Sequence, residues 1–245
     1  MQITAGLHSL GNEKGGYVRA YLLEEADGLT LVDTLDETDG SQVFAAIAAI
    51  GRQPADLKRI ILSHGHPSHI GGLAVLKKAS HAVVYSHDWE ADIVAGRPAM
   101  TKPPSGLFPP QKPIRLYKFQ VGAALGLGKK PSCEVDRHLK DGDHVGGLQV
   151  LHAPGHTPGS LAFWWSGKRA LLAGDIVTTW PEVALGWPQI TLDNAQNRES
   201  VGRIADLVHA EIVGTGHGDP IRSGGADVMR DLVRGKAVRP DIATT

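Results

Sequence analysis

Ile60-Ile61-Leu62-Ser63-His64-Gly65-His66-Pro67-Ser68-His69-Ile70-Gly71-Gly72-Leu73-Ala74-Val75-Leu76 is the stretch on which the reading of this chain turns. Its opening apolar run reads as a buried strand. The segment that follows, through Lys77-Lys78, reads as a helix beginning at about His69, with Ser68 as its N-cap. Three imidazoles therefore fall on the loop between a strand and a helix. In an open α/β layout that is the end of the sheet where ligands bind. Imidazole is a common metal ligand. His64 and His66, two apart in extended backbone, face the same side, and His69 reaches the same spot from the helix.

Working outward, residues 17–23 and 29–33 read as strands joined by the hairpin signal Glu24-Glu25-Ala26-Asp27-Gly28. A helix over 43–50 is capped by Asp39 or Ser41, a short strand covers 81–85 and a short helix 87–95. Downstream, strands are expected at 148–152, 160–165, 169–173 and 211–213, with Ser166-Gly167-Lys168 as a tight turn. Helices are expected from Asp193 or Asn194 to about 208, and over 226–234. Two halves, about 1–135 and 136–245, each begin with strands and then alternate strand and helix. The fold expected is α/β: an αββα sandwich of two packed mixed β-sheets with helices on the outer faces, one domain over 1–245. Residues 96–135 interrupt this order with repeated prolines among Leu107, Phe108, Tyr117 and Phe119, and read as a lid-like insertion.

Bulk composition narrows the chemistry. A hydrophobic fraction of 42% over 245 residues is enough for a sizeable core. The formal net charge of -1 gives no electrostatic case for a nucleic acid or an acidic membrane as partner. A single cysteine, Cys133, excludes a disulfide framework and a thiolate-rich zinc site. Any metal must then be held by histidine and carboxylate. No apolar run approaches the roughly 18 residues of a membrane helix, and Met1-Gln2-Ile3-Thr4-Ala5-Gly6 lacks the pattern of a signal peptide, so a cytoplasmic protein is expected.

Three further candidate ligands each follow an expected strand: His156 in Gly155-His156-Thr157-Pro158-Gly159-Ser160, Asp175 in Gly174-Asp175, and His217 in Gly216-His217. Glycine beside each suits a tight turn or a close backbone approach. In this order the motifs resemble the metallo-β-lactamase superfamily across nearly the whole chain. Its pattern is a strand-ending Asp, then His-x-His-x-Asp-His, Gly-His-Thr-x-Gly, Gly-Asp and Gly-His, matched here at Asp33, 63–69, 155–160, 174–175 and 216–217. The resemblance implies that His64, His66 and His156 hold one metal ion, His69 and His217 a second, with Asp175 bridging them as the catalytic carboxylate. Asp33 would have a supporting role. One position departs: Ser68 stands where the family has its acidic ligand. A second site weakened but not lost is the expectation, since three protein ligands plus water is a normal catalytic zinc shell.

The function expected is that of a metal-dependent hydrolase. A metal-bound hydroxide would attack a small ester, lactone or thioester at a site holding zinc, two ions in all. Trp180, Trp187 and Phe108 are the candidate apolar wall for that substrate. The alternatives are a mononuclear iron enzyme resembling persulfide dioxygenases, held at His64, His156 and Asp175, and a degenerate non-catalytic member. For a homodimer, the candidate contacts are the 96–135 segment and the loop from Trp180 to Trp187.

Overall fold

Alternation along the central strands decides the architecture. In the computed structural model, which describes residues 1–11, 17–97 and 130–242, neighbouring strand residues go to different apolar layers. From β3 (Ala20–Glu25), Leu22 joins one layer and Leu23 another, and β4 (Gly28–Val32) and β5 (Leu57–Ile61) divide in the same way. Both faces of these strands are therefore buried, as the parallel part of a sheet requires.

The first sheet has seven strands in sequence order: β1 (Gln2–Thr4), β2 (Leu7–Leu10), β3, β4, β5, β6 (Val83–His87) and β7 (Arg137–Leu139). Its strands are antiparallel up to β4 and parallel from β4 to β7. The helices α1 (Ser41–Ala49), α2 (Leu73–Ser80) and α3 (Asp88–Val94) lie between the parallel strands in sequence. The second sheet has five strands, in the order β12 (Ile212–Thr215), β11 (Ala170–Gly174), β10 (Leu161–Trp165), β9 (Leu148–His152) and β8 (His144–Val145). Only β11 and β12 are parallel, with α4 (Asn194–Leu207) between them in sequence, and α5 (Gly225–Val233) follows.

Three apolar layers result. Leu7, Leu23, Val32 and Ile61 of the first sheet meet Leu148, Leu161, Phe163 and Leu172 of the second. Leu22, Leu31 and Ile60 pack beneath Val43, Ile47 and Leu76, while Leu171, Ala173 and Val213 pack beneath Val201, Ile204 and Met229. Each fully buried Leu, Ile or Phe contributes about 1.5–3 kcal/mol of transfer free energy. This is the αββα sandwich expected from the sequence. Among the described residues no helix is long and apolar enough to cross a membrane.

The sheets are also joined by backbone at one edge. Val18 bridges His217, Arg19 N donates to Gly216 O at 2.8 Å, and Gly218 N donates to Tyr17 O at 2.9 Å. Beside them the buried Tyr21 hydroxyl donates to Thr215 O at 2.8 Å.

Several expected boundaries move. Helix α2 begins at Leu73 behind Gly72, with no side-chain cap, so Ser68 does not cap it. Residues 69–72 bond instead to the loop after β4: Thr34 N donates to His69 O, Gly71 N to Leu35 O and Gly72 N to Thr34 O. Gly71 has to be glycine there, because a Cβ would stand 2.3 Å from Asp36 O. The N-cap position of helix α1 is Gly40, in the left-handed region, while the Asp39 carboxylate still accepts from the first helical N–H, Ser41 N, at 3.0 Å. Strand β6 starts only at Val83, because His81 closes α2 with φ 59°. The aspartate expected to start α4, Asp193, does cap it, accepting from Ala195 N and Gln196 N. Most of the insertion expected at 96–135, including Phe108, lies outside the described residues.

Candidate metal centre

The centre is assembled at the strand ends, starting from Asp33. At φ 60° this residue turns the chain out of β4. Its carboxylate accepts from Ser63 N at 2.8 Å and Ser63 Oγ at 2.6 Å, which fixes the loop after β5. Ser63 Oγ in turn lies 3.0 Å from His64 Nδ1, leaving Nε2 to face inward. The carbonyl of His69 accepts from Thr34 N and Thr34 Oγ1, and its ring stands between two carboxylates. Nδ1 is 3.2 Å from Asp33 Oδ2, and Nε2 is 3.4 Å from Asp175 Oδ1.

The second sheet supplies the other side. His156, between β9 and β10, has Nδ1 3.2 Å from Thr191 Oγ1 and Nε2 3.0 Å from His66 Nδ1. Asp175 follows β11. Its Oδ2 lies 3.7 Å from His64 Nε2, 3.5 Å from His156 Nε2 and 3.3 Å from His217 Nε2. Gly216 makes room for that carboxylate, since a Cβ there would stand 1.9 Å from Asp175 Oδ1. All six residues expected from the sequence thus converge, in two donor groups that share Asp175. One is His64, His66, His156 and Asp175; the other is His69, Asp175 and His217. Ser68 sits half-buried in the turn before His69 and joins neither group.

The donors fit metal ions. His64 Nε2, His69 Nε2 and Asp175 Oδ1 are buried without a hydrogen-bond partner. Leaving such atoms unpaired costs about 1–3 kcal/mol each, and here they point at one another. Ligands at about 2.0–2.2 Å from a tetrahedral ion stand roughly 3.3–3.6 Å apart, close to the spacings around Asp175. Burial, together with the neighbouring rings His69 and His66, holds His64 well below the usual imidazole range. Burial and His156 hold His66 down to about 3, and burial brings His156 to about 4. These rings are neutral, with lone pairs available. At His69 burial opposes charge too, but Asp175 and Asp33 outweigh it and raise the ring to about 10. Burial likewise opposes the charge on Asp175, where His69 and His217 prevail and keep the carboxyl well below its usual range.

Beside His217 stands an aromatic wall. The Trp187 ring is 4.3 Å from the His217 ring, Trp180 is 5.6 Å from Trp187, and Tyr17 stacks on Trp180 at 5.3 Å. Trp187 Nε1 donates to Trp180 O at 2.8 Å, tying the two indoles together. The supporting residues Ser63, Thr34 and Thr191, and Tyr17 in the wall, are absent from the sequence-based expectations. Nothing in their own neighbourhoods sets them apart from ordinary polar or loop residues.

The sequence profile of the metallo-beta-lactamase superfamily matches residues 14–217. The chain is 28% identical to the uncharacterized protein YobT of Bacillus subtilis (strain 168), over 64% of this chain and 61% of that one. With the probable metallo-hydrolase YflN of the same organism it shares 28% identity, over 88% of this chain and 85% of YflN. With the N-acyl homoserine lactonase AttM of Agrobacterium fabrum (strain C58 / ATCC 33970) the figure is 30%, over 71% and 62%. The chain therefore spans less than two thirds of YobT and AttM and most of YflN. Among solved structures, TTHA1623 in a di-iron-bound form superposes with a TM-score of 0.65 at 27% identity, covering 87% of this chain and 93% of that one.

Proposed function

The chain belongs to the metallo-β-lactamase superfamily, and from that premise we propose that it is a zinc-dependent hydrolase of a small ester, lactone or thioester. The observation that carries this reading is the pair of donor groups sharing Asp175. His64, His66, His156 and Asp175 would hold the first ion, and His69, Asp175 and His217 the second. When bound, such a pair would lower the pKa of a bound water to about 7 and polarise the carbonyl to be attacked.

The chain's own residues do the rest. Ser63 and Thr191 fix the ring orientations of His64 and His156. Asp175, kept anionic by His69 and His217, would be the carboxylate common to both ions, a charge to which Ser68 adds nothing. Trp187 and Trp180 form an apolar face beside His217, suited to an acyl or other non-polar group and to excluding water. The similarity to a lactonase at 30% identity supports a lactone or ester within this range. The mononuclear iron enzyme held by His64, His156 and Asp175 is the second reading; the similarity to a di-iron-bound protein supports iron as the metal but not a single ion. The complete trio around His69 favours two ions over one.

Elemental analysis of the purified protein combined with a panel of ester, lactone, thioester and phosphoester substrates tests this. Between one and two equivalents of zinc with turnover of an ester, lactone or thioester is the expected result. Iron as the native metal, with oxygen uptake on a persulfide, would sink hydrolysis.

A further inference from the structure

Glu90 lies in the first turn of α3. An acidic residue there ordinarily stays in solvent and offsets the helix dipole. This one is only 1% exposed. Its Oε2 accepts from Gly65 N at 2.9 Å, and its Oε1 accepts from Gly159 N at 3.0 Å and Thr157 Oγ1 at 2.7 Å. Gly65 separates His64 from His66, and Thr157 directly follows His156. One carboxylate therefore ties the loop after β5 to the loop after β9, the two loops that bring the three histidines of the first donor group. Both glycines are needed for its approach: a Cβ on Gly65 would stand 2.9 Å from Oε2, and one on Gly159 2.7 Å from Oε1.

The geometry points to Glu90 as a positioning residue of the first metal group, setting the distance between His66 and His156 through the backbone of their loops. It belongs to neither donor group. Its effect is to hold three neutral imidazoles, contributed by two different sheets, in place before an ion arrives. Burial pushes the carboxyl up, while Thr157 and the two backbone donors act against that. This inference rests on the two groups being metal sites, as proposed above.

The test is a titration of the metal-free full chain with zinc against a chromophoric chelator, resolving two affinities. Glu90→Gln keeps the volume but turns an amide N–H toward one of the backbone donors. It is expected to weaken binding at the first group at least about tenfold, the scale of outer-shell substitutions, and to leave the second group unchanged. Thr157→Val removes one of three donors and is expected to fall between Glu90→Gln and wild type. A Glu90→Gln protein with native circular dichroism and both wild-type affinities overturns the inference, and so does an equal loss at both groups. If Glu90→Gln does not fold, Thr157→Val decides by the same criterion. A wild-type chain that binds no zinc overturns the metal reading itself; a wild-type chain that binds two ions beside an indifferent variant overturns only the role of Glu90.

Discussion

A single residue sets the balance between the two donor groups. The second contains one carboxylate, Asp175, and that carboxylate is shared with the first. Two dications would thus face one negative charge in a buried site, where charge is poorly compensated. Ser68, half-buried in the turn next to His69, is the position at which another carboxylate would enter. The helix-cap role expected for it from the sequence does not hold, because α2 starts four residues after His69 behind Gly72. Nothing in the cap of α2 therefore opposes a substitution. Ser68→Asp is expected to raise affinity at the second group at least about tenfold, comparable with the effect of outer-shell groups. After dialysis against a weak chelator the variant should retain close to two equivalents of zinc while the wild type falls toward one. Equal retention would remove Ser68 as the cause of any asymmetry.

At the scale of elements, α3 couples to β9 through histidines outside the metal centre. His87 caps α3, its Nδ1 accepting from Trp89 N at 3.2 Å, and its ring lies flat on that of His152 at 4.7 Å. His138 of β7, paired with Asp88, also faces it. Burial first, and His152 second, lower His87 to about 4. The unfolded chain therefore binds a proton here that the folded chain refuses between about pH 6.5 and pH 4. Stability from this group is complete above pH 6.5 and falls with pH across that window. His87→Asn keeps a capping acceptor and removes the titration. Its metal-free form is expected to lose less thermal stability than wild type between pH 7 and pH 4.5; parallel curves of melting temperature against pH would contradict this. The same elements show what the sequence made legible. The central strands are short continuous apolar runs, as at 20–23 and 170–173, so their existence was legible, and the strands-first order of both halves suggested the sandwich. That Leu22 and Leu23 or Leu171 and Leu172 enter different layers shows only in the fold. Five of the six converging side chains were legible because each follows such a strand and stands next to a glycine; His69 was legible from its place in the histidine-rich loop. Strands β1, β2, β7 and β8 were not, being two to four residues long and defined by their partners' hydrogen bonds. The start of α2 was hidden because residues 69–72 bond to the distant loop at Thr34 and Leu35. Glu90 was hidden for a related reason: an acid in a helix's first turn looks alike whether it meets water or, as here, two buried loops.

At the scale of the whole molecule, each donor group draws on both sheets. His64, His66 and His69 follow β5 of the first, while His156, Asp175 and His217 follow β9, β11 and β12 of the second. The adjoining ties run the same way, from Val18 to His217, from Tyr21 to Thr215, and through the layer that includes Leu23 and Phe163. An ion bound in either group therefore bridges the halves as well as satisfying local donors, and it binds the folded chain in preference to the unfolded one. At free zinc about 100-fold above the dissociation constant, the stabilisation is about 2.7 kcal/mol. For a chain of this size that corresponds to a melting temperature raised by roughly 5–10 °C. Because the ion joins both sheets, zinc is expected to shift one cooperative calorimetric transition as a whole, and a chelator to return it. Two transitions of which zinc moves only one would mean that the donors of one half bind alone. The shared Asp175 could then not be the joint between the sheets that its position between His69 and His156 makes it.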